Sequence, residues 1–278
     1  MDGLSVLAAL LSAALHAGWN AAVKASARPP LAMTAQMGVS ALLALPLLAW
    51  TGLPAAAAWP WLALSCLLSM GAVATLLRAY QHGGFGTVYP MARASSVLLV
   101  LPLAAVVAGE WPRPLGLLGV ALVSAAVLML ALGQGTSRPL SRAALGWILA
   151  SAAFTAGYVV SDAQGVRRSG SPLAYGCVLA IANALLWTAW QRRGGLRLAE
   201  LLPRWPRSLL LASMALLSYW LILWVWSRAP IALASALRDT SAIFATLIAV
   251  FVLREPLDRR VLAAVALATA GTAAIRLG

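Results

Sequence analysis

Ten apolar runs, each about the length of a membrane span, fill this chain almost end to end. They lie at about 3–24, 31–50, 59–81, 86–108, 114–132, 143–163, 172–190, 207–227, 231–252 and 259–276. A helix needs about 20 apolar residues to cross a bilayer, so ten spans leave almost nothing of 278 residues for a soluble domain. The breaks carry turn residues or charge, as at Arg28-Pro29-Pro30, Thr51-Gly52-Leu53-Pro54, His82-Gly83-Gly84 and Gln191 through Arg207. No strand alternation persists, which excludes a β-barrel. The expected fold is an all-α membrane protein of ten transmembrane helices.

Composition supports this. Hydrophobic residues make up 62% of the chain and charged residues 10%, against about 25% charged in soluble domains. So few polar side chains cannot cover a water-facing surface. The net charge of +13 would suggest nucleic acid in a soluble protein. Here most basic residues fall between apolar runs, and no compact basic domain exists to hold a nucleic acid. Cys66 and Cys177 sit inside runs and read as small buried hydrophobes. The N-terminus lacks the basic stretch of a cleaved signal peptide, so the first run reads as a retained helix.

Trp50, Trp59, Trp61, Trp111, Trp187, Trp190 and Trp205 stand at run ends, where an interfacial belt would place them. Many runs are rich in small residues, which allow close helix packing in lipid; Gly116 and Gly119 are placed to act in this way. The loop charges are unequal. One side, with the termini, has Arg113, Arg167, Arg168, Arg228 and Arg276; the other has twelve basic residues, many of them in 191–207. The positive-inside rule puts the richer side in the cytoplasm and both termini outside.

The chain also matches itself. Ser12-Ala13-Ala14-Leu15-His16-Ala17-Gly18-Trp19 aligns with Ser151-Ala152-Ala153-Phe154-Thr155-Ala156-Gly157-Tyr158, and Arg93-Ala94-Ser95-Ser96 with Arg238-Asp239-Thr240-Ser241. Glu110 aligns with Glu255 at the second offset. The expected halves are 1–135 and 136–278, with five spans each. Five is odd, so the second half enters the membrane inverted, the arrangement that gives many secondary transporters two access states.

Ten spans in two five-helix halves, with an Arg- and Ser-bearing fourth helix ending in Glu, resemble the drug/metabolite transporter superfamily, specifically its EamA-type members. The best-matching segments are 86–112 and 231–257. The nearest functional likeness is to bacterial aromatic amino-acid exporters. The resemblance implies a multi-pass protein of the bacterial cytoplasmic membrane that works by alternating access on amino acids or similar small metabolites. Other metabolite or multidrug exporters of the superfamily remain the alternative. No cofactor or metal is expected, and two fused repeats are compatible with a monomer.

Candidate cavity residues follow from helical spacing. Arg93 and Arg238 lie seven residues inside their runs, where a charge must face a cavity, a partner or an interface. From Arg93 to Glu110 is 17 positions, about 25 Å of helix. The two arginines are therefore expected one towards each mouth of the cavity, unless they are structural or snorkelling. Tyr89, Arg93 and Ser96 share one helix face, as do Arg238 and Ser241 in the other half. Hydroxyls here can line a path or bond their own backbone. His16, Trp19 and Asn20 form a second face, matched by Tyr158 in the repeat; Tyr80, Trp220 and Trp224 can extend an aromatic wall or serve as core. His16 and Asp239 are candidates for proton coupling, and Asp162 is the other acid within or near a span. An intramembrane enzyme would need a nucleophile–base pair, paired acids or a metal cluster; the two histidines, at 16 and 82, and the lack of a Cys cluster supply none. A channel would need a pore ring from an oligomer, and a lipid flippase would show a lateral opening.

Overall fold

A computed structural model describes residues 1–82, 85–133, 141–197, 199–201, 205–253 and 259–278. Its helices are α1 (Gly3–Lys24), α2 (Pro29–Thr51), α3 (Trp59–Tyr80), α4 (Phe85–Ala108), α5 (Pro114–Gly133), α6 (Arg142–Arg168), α7 (Pro172–Arg193), α8 (Trp205–Trp226), α9 (Ile231–Asp239), α10 (Ser241–Leu253) and α11 (Arg259–Leu277), with a 3-10 turn at Ala56–Ala58 before α3. Among the described residues, nine helical stretches are long and apolar enough to cross a membrane, and Pro114–Leu130 is a tenth, shorter one. The expected all-α membrane fold is present.

Local chemistry sets the ends. Asp2 accepts the Ser5 backbone N–H at 2.8 Å and starts α1; Ser141 and Ser171 do the same for α6 and α7. Pro29 and Pro30 open α2, where their missing N–H groups cost nothing. Gly52, at φ +73°, ends it in a conformation few other residues adopt. The ninth run, read as one helix, is broken at Thr240. Its hydroxyl donates to the Leu237 carbonyl at 2.6 Å, and its N–H reaches the same carbonyl. A tight turn and a side chain competing for a carbonyl together interrupt the helix.

The leading helix contacts cross between the halves: α3 with α6, α5 with α11, α2 with α7, α4 with α6 and α1 with α8. Exchanging the halves maps α2–α7 and α5–α11 onto themselves and α3–α6 onto α1–α8. The junction expected at 135/136 lies outside the described residues. Where α5 meets α11 the backbones touch: a Cβ on Gly119 would lie 2.7 Å from the Gly271 carbonyl oxygen. Lipid offers no hydrophobic drive between helices, so such close approach supplies the attraction.

Stripes such as Leu4, Leu7 and Leu11 face outward, as a bilayer requires. Trp50 and Trp111 are exposed at helix ends. Trp187 is buried instead, its Nε1 donating to Thr34 Oγ1 at 3.0 Å, so it belongs to the α2–α7 contact and not to an interfacial belt. Cys66 and Cys177 are buried and unbridged.

The face that carries the termini is tied together. The N-terminal amine donates to the Ile275 and Arg276 carbonyls. Glu110 Oε1 pairs with Arg167 Nη1 at 2.6 Å, and Glu110 Oε2 accepts the Ile231 N–H at 2.6 Å. Arg167 also donates to the Trp226 and Ala229 carbonyls at 2.8 and 2.9 Å. One guanidinium thus joins the end of α6, the segment after α4 and the α8–α9 turn. Glu255, its counterpart in the repeat, lies outside the described residues. On the opposite face, Arg28 pairs with Glu200 at 2.6 Å, and the bond holds the Glu200 carboxyl below the usual range.

Candidate functional site

Helices from both halves surround a cavity of about 320 Å³, within the range of small-molecule sites. On α1, α2 and α4 its wall includes His16, Trp19, Asn20, Gln36, Ser40, Tyr89 and Arg93. On α6 to α9 it includes Thr155, Tyr158, Asn183, Tyr219, Trp220 and Arg238. The two first helices of the halves, α1 and α6, therefore bring Trp19 and Tyr158 to the same space.

The polar wall carries two guanidinium groups and no carboxylate among the described residues. Arg93 Nη2 donates to His16 Nε2 at 3.1 Å. Arginine only donates, so that nitrogen presents its lone pair. Arg93 Nε lies 3.6 Å from Asp239 Oδ1, and the guanidinium sits 5.7 Å from the Tyr89 ring centre. His16 meets Trp19 edge to face at 5.2 Å, and Asn20 donates to the His16 carbonyl. Arg238 differs. It is buried, stands 5.0 Å from the Tyr219 ring and 5.7 Å from the Trp226 ring, and its Nη1 has no hydrogen-bond partner. Trp19 Nε1 and Trp220 Nε1 are also buried without hydrogen-bond partners. All three are donors, each lacking an acceptor.

Arg93 and Arg238 both line this cavity. Glu110 lies beyond the end of α4, against α9. Arg93 and Arg238 stand nine and eight residues into α4 and α9, counting each helix's first residue. That is about 12 and 11 Å of helix from the start of each.

Towards the terminal face the cavity narrows to a void of about 10 Å³ lined by Ser96, Val97, Val100, Trp226 and Ser235, room for at most one water. Beyond it lie Trp226 and the Glu110–Arg167 pair.

The other candidates are placed differently. Ser96 lines only the small void, its hydroxyl donating to the Arg93 carbonyl. Ser241 is buried outside the cavity wall. Tyr80 packs with Ala79, Val88, Ala92 and Ile148. Trp224 packs on the core and carries the Arg228 guanidinium 4.6 Å from its ring. Asp239 sits behind Arg93. Gln36, Ser40, Asn183 and Tyr219 were missed. Met33, Gln36, Met37 and Ser40 keep i, i+3, i+4, i+7 spacing, a stripe that could have been read as a cavity face.

This geometry sits on a sequence whose second half has known relatives. Residues 142–277 match the model of the EamA-like transporter family. The EamA-like segment spans α6 to α11 and so supplies Tyr158, Tyr219, Trp220 and Arg238. Together with its apolar helices it marks a multi-pass membrane protein. Among solved structures 28 chains match. One, a crystal structure, superposes at TM-score 0.76 with 17% identity, over 99% of this chain and 96% of its own, a likeness of fold alone. No curated protein matches the chain.

Proposed function

We propose that the whole chain is an EamA-type member of the drug/metabolite transporter superfamily. It works by alternating access and exports amino acids with aromatic or large apolar side chains, or similar small metabolites, across the bacterial cytoplasmic membrane. The observation that carries this reading is the central cavity, walled by both halves, whose buried unpartnered polar groups are all donors. A carboxylate supplies what those donors lack. Trp19, Tyr158 and Trp220 offer ring faces to an apolar side chain, and Asn20, Gln36 and Asn183 offer amide oxygens to an ammonium group. A wall without carboxylates is a poor site for a multivalent cation, whose desolvation would go unopposed.

The helix pairing, unchanged when the halves are exchanged, supports an inverted repeat. In that scheme the Glu110–Arg167 side is closed in this state, and rearranging the halves opens it. With the basic loops in the cytoplasm, the closed face is the outer one.

Transport into proteoliposomes tests the proposal: Phe, Trp, Leu, Thr, Glu and a quaternary ammonium dye. Labelled Phe should accumulate transiently against preloaded unlabelled Phe, which a channel cannot do. Trp19→Ala and Tyr158→Ala should each weaken Phe about fivefold more than Thr, since a ring contact contributes about 1 kcal/mol. If only the dye moves, the protein is a multidrug exporter.

A further inference from the structure

One buried acid takes no part in the cavity wall. Asp162, on α6, is fully buried, and its carboxyl oxygens are held by phenols from two other helices. Tyr175 of α7 donates to Oδ1 at 3.0 Å, and Tyr219 of α8 donates to Oδ2. Ser65 of α3 is a third hydrogen-bonding neighbour.

The partners set Asp162 apart from other acids of the fold. Glu110, Glu200 and Asp239 each have a guanidinium within 4 Å: Arg167, Arg28 and Arg93. Such a partner favours the ionised carboxylate and opposes protonation. Asp162 has no ion pair among the described residues. A hydroxyl can donate to a carboxylate or accept from a carboxylic acid, so the same shell satisfies both protonation states. The groups facing Asp162 are Ser65 and Cys66 from α3, Tyr175 from α7, Tyr219 from α8 and, further off, Arg238 from α9. From α4, Arg93 is engaged with His16 and Asp239, and Glu110 with Arg167.

Access and coupling follow from position. Asp162 does not line the cavity, but Ser65 and Tyr219 do, so one hydroxyl separates the carboxyl from the cavity. Along α6, Asp162 lies four residues past Tyr158 and five before Arg167, about 6 and 7.5 Å of helix. The carboxyl stands between the cavity wall and the ionic lock on a single helix.

We propose that Asp162 is the proton-binding site of this transporter. A proton from cavity water passes through the Tyr219 or Ser65 hydroxyl and adds to a carboxylate oxygen, which becomes neutral; release returns it unchanged. This rests on the transporter reading above. It also displaces His16 and Asp239 as coupling groups, since Arg93 engages both.

Two measurements test it. In proteoliposomes with clamped membrane potential, wild type should accumulate Phe in response to an imposed pH gradient. Asp162→Asn should reduce that response at least tenfold and leave Phe counterflow within about twofold, and Asp162→Glu should retain the response. Wild type that shows counterflow but no pH response, or Asp162→Asn that keeps the response or loses counterflow as well, overturns the proposal. Loss in Asp239→Asn or His16→Gln with Asp162→Asn unaffected does so too. The second measurement needs no transport: infrared difference spectra on acidification. A protonated-carboxyl band that appears in wild type, shifts in Asp162→Glu and is missing from Asp162→Asn supports the site; an identical band in Asp162→Glu overturns it, even where Asp162→Asn does not fold. No counterflow for any compound in wild type would sink the transporter reading instead, and the infrared band would still decide the proton site.

Discussion

Glu110→Gln isolates the ionic lock of the terminal face. The amide keeps the shape of the side chain and an oxygen for the Ile231 N–H, and removes only the charge facing Arg167. The pair is neither buried nor free, with side-chain exposures of 25% for Arg167 and 17% for Glu110. Breaking a buried pair costs about 3–5 kcal/mol, whereas an exposed pair contributes about 0.2–1 kcal/mol. The intermediate exposure and the retained hydrogen bond put the loss at about 1–2 kcal/mol. Under the proposed alternating access that energy stabilises only the state with this face closed, so the population open on this face should rise roughly 5- to 30-fold. Val97, buried in the void between cavity and lock, is the reporter. A Val97→Cys variant lacking Cys66 and Cys177 is labelled with an impermeant thiol reagent, in intact cells and in inverted vesicles. The labelling rate from the terminal side should rise by that factor, and Arg167→Gln should exceed it because two carbonyl bonds go as well. An unchanged rate in a folded Glu110→Gln protein would mean that the pair closes nothing.

Arg93→Leu and Arg238→Leu should each reduce Phe transport, Arg238→Leu at least tenfold, with normal expression; wild-type rates would make both arginines structural anchors. Gly119→Leu should destabilise the detergent-solubilised protein by about 1–3 kcal/mol through overpacking against α11, read as a lower melting temperature, whereas Gly146→Leu, where nothing lies within 4 Å, should not. Arg28 holds the Glu200 carboxyl below its ordinary value near 4.5, so the contribution of this tie is present above that value and lost as pH falls through the lower folded one. Any melting difference between wild type and Glu200→Gln should be seen at pH 7 and shrink as pH is lowered below that ordinary value.

The helix plan was legible because charge or turn residues bound each run, so Pro29 and Gly52 mark ends without tertiary help. The break at Thr240 was hidden, since a Thr inside an apolar run usually stays helical. Trp19, Tyr158, Arg93 and Arg238 were readable as a set from the repeat and the spacing. The contacts they make, Arg93 with His16 and Asp239 and Arg238 with the Tyr219 and Trp226 rings, were not, because each partner stands on another helix. Asp162 shows the firmer limit: Tyr219 lies 57 positions away, and no local pattern links a lone acid to a phenol on another helix.

The crossing of the halves has a consequence for how the chain is made. Helix α1 finds its main partner in α8, which begins 181 residues after α1 ends. At about 5–20 residues per second, that is roughly 10–40 s of synthesis. Throughout that interval the face of α1 bearing Ser12, whose hydroxyl finally bonds the Ser218 carbonyl at 2.6 Å, has only lipid or the insertion machinery to meet. The N-terminal amine waits longer, for the carbonyls of Ile275 and Arg276. Assembly of the bundle is therefore a late event, completed only as the last helix enters, and a chain that stops before α8 leaves α1 inserted without its partner.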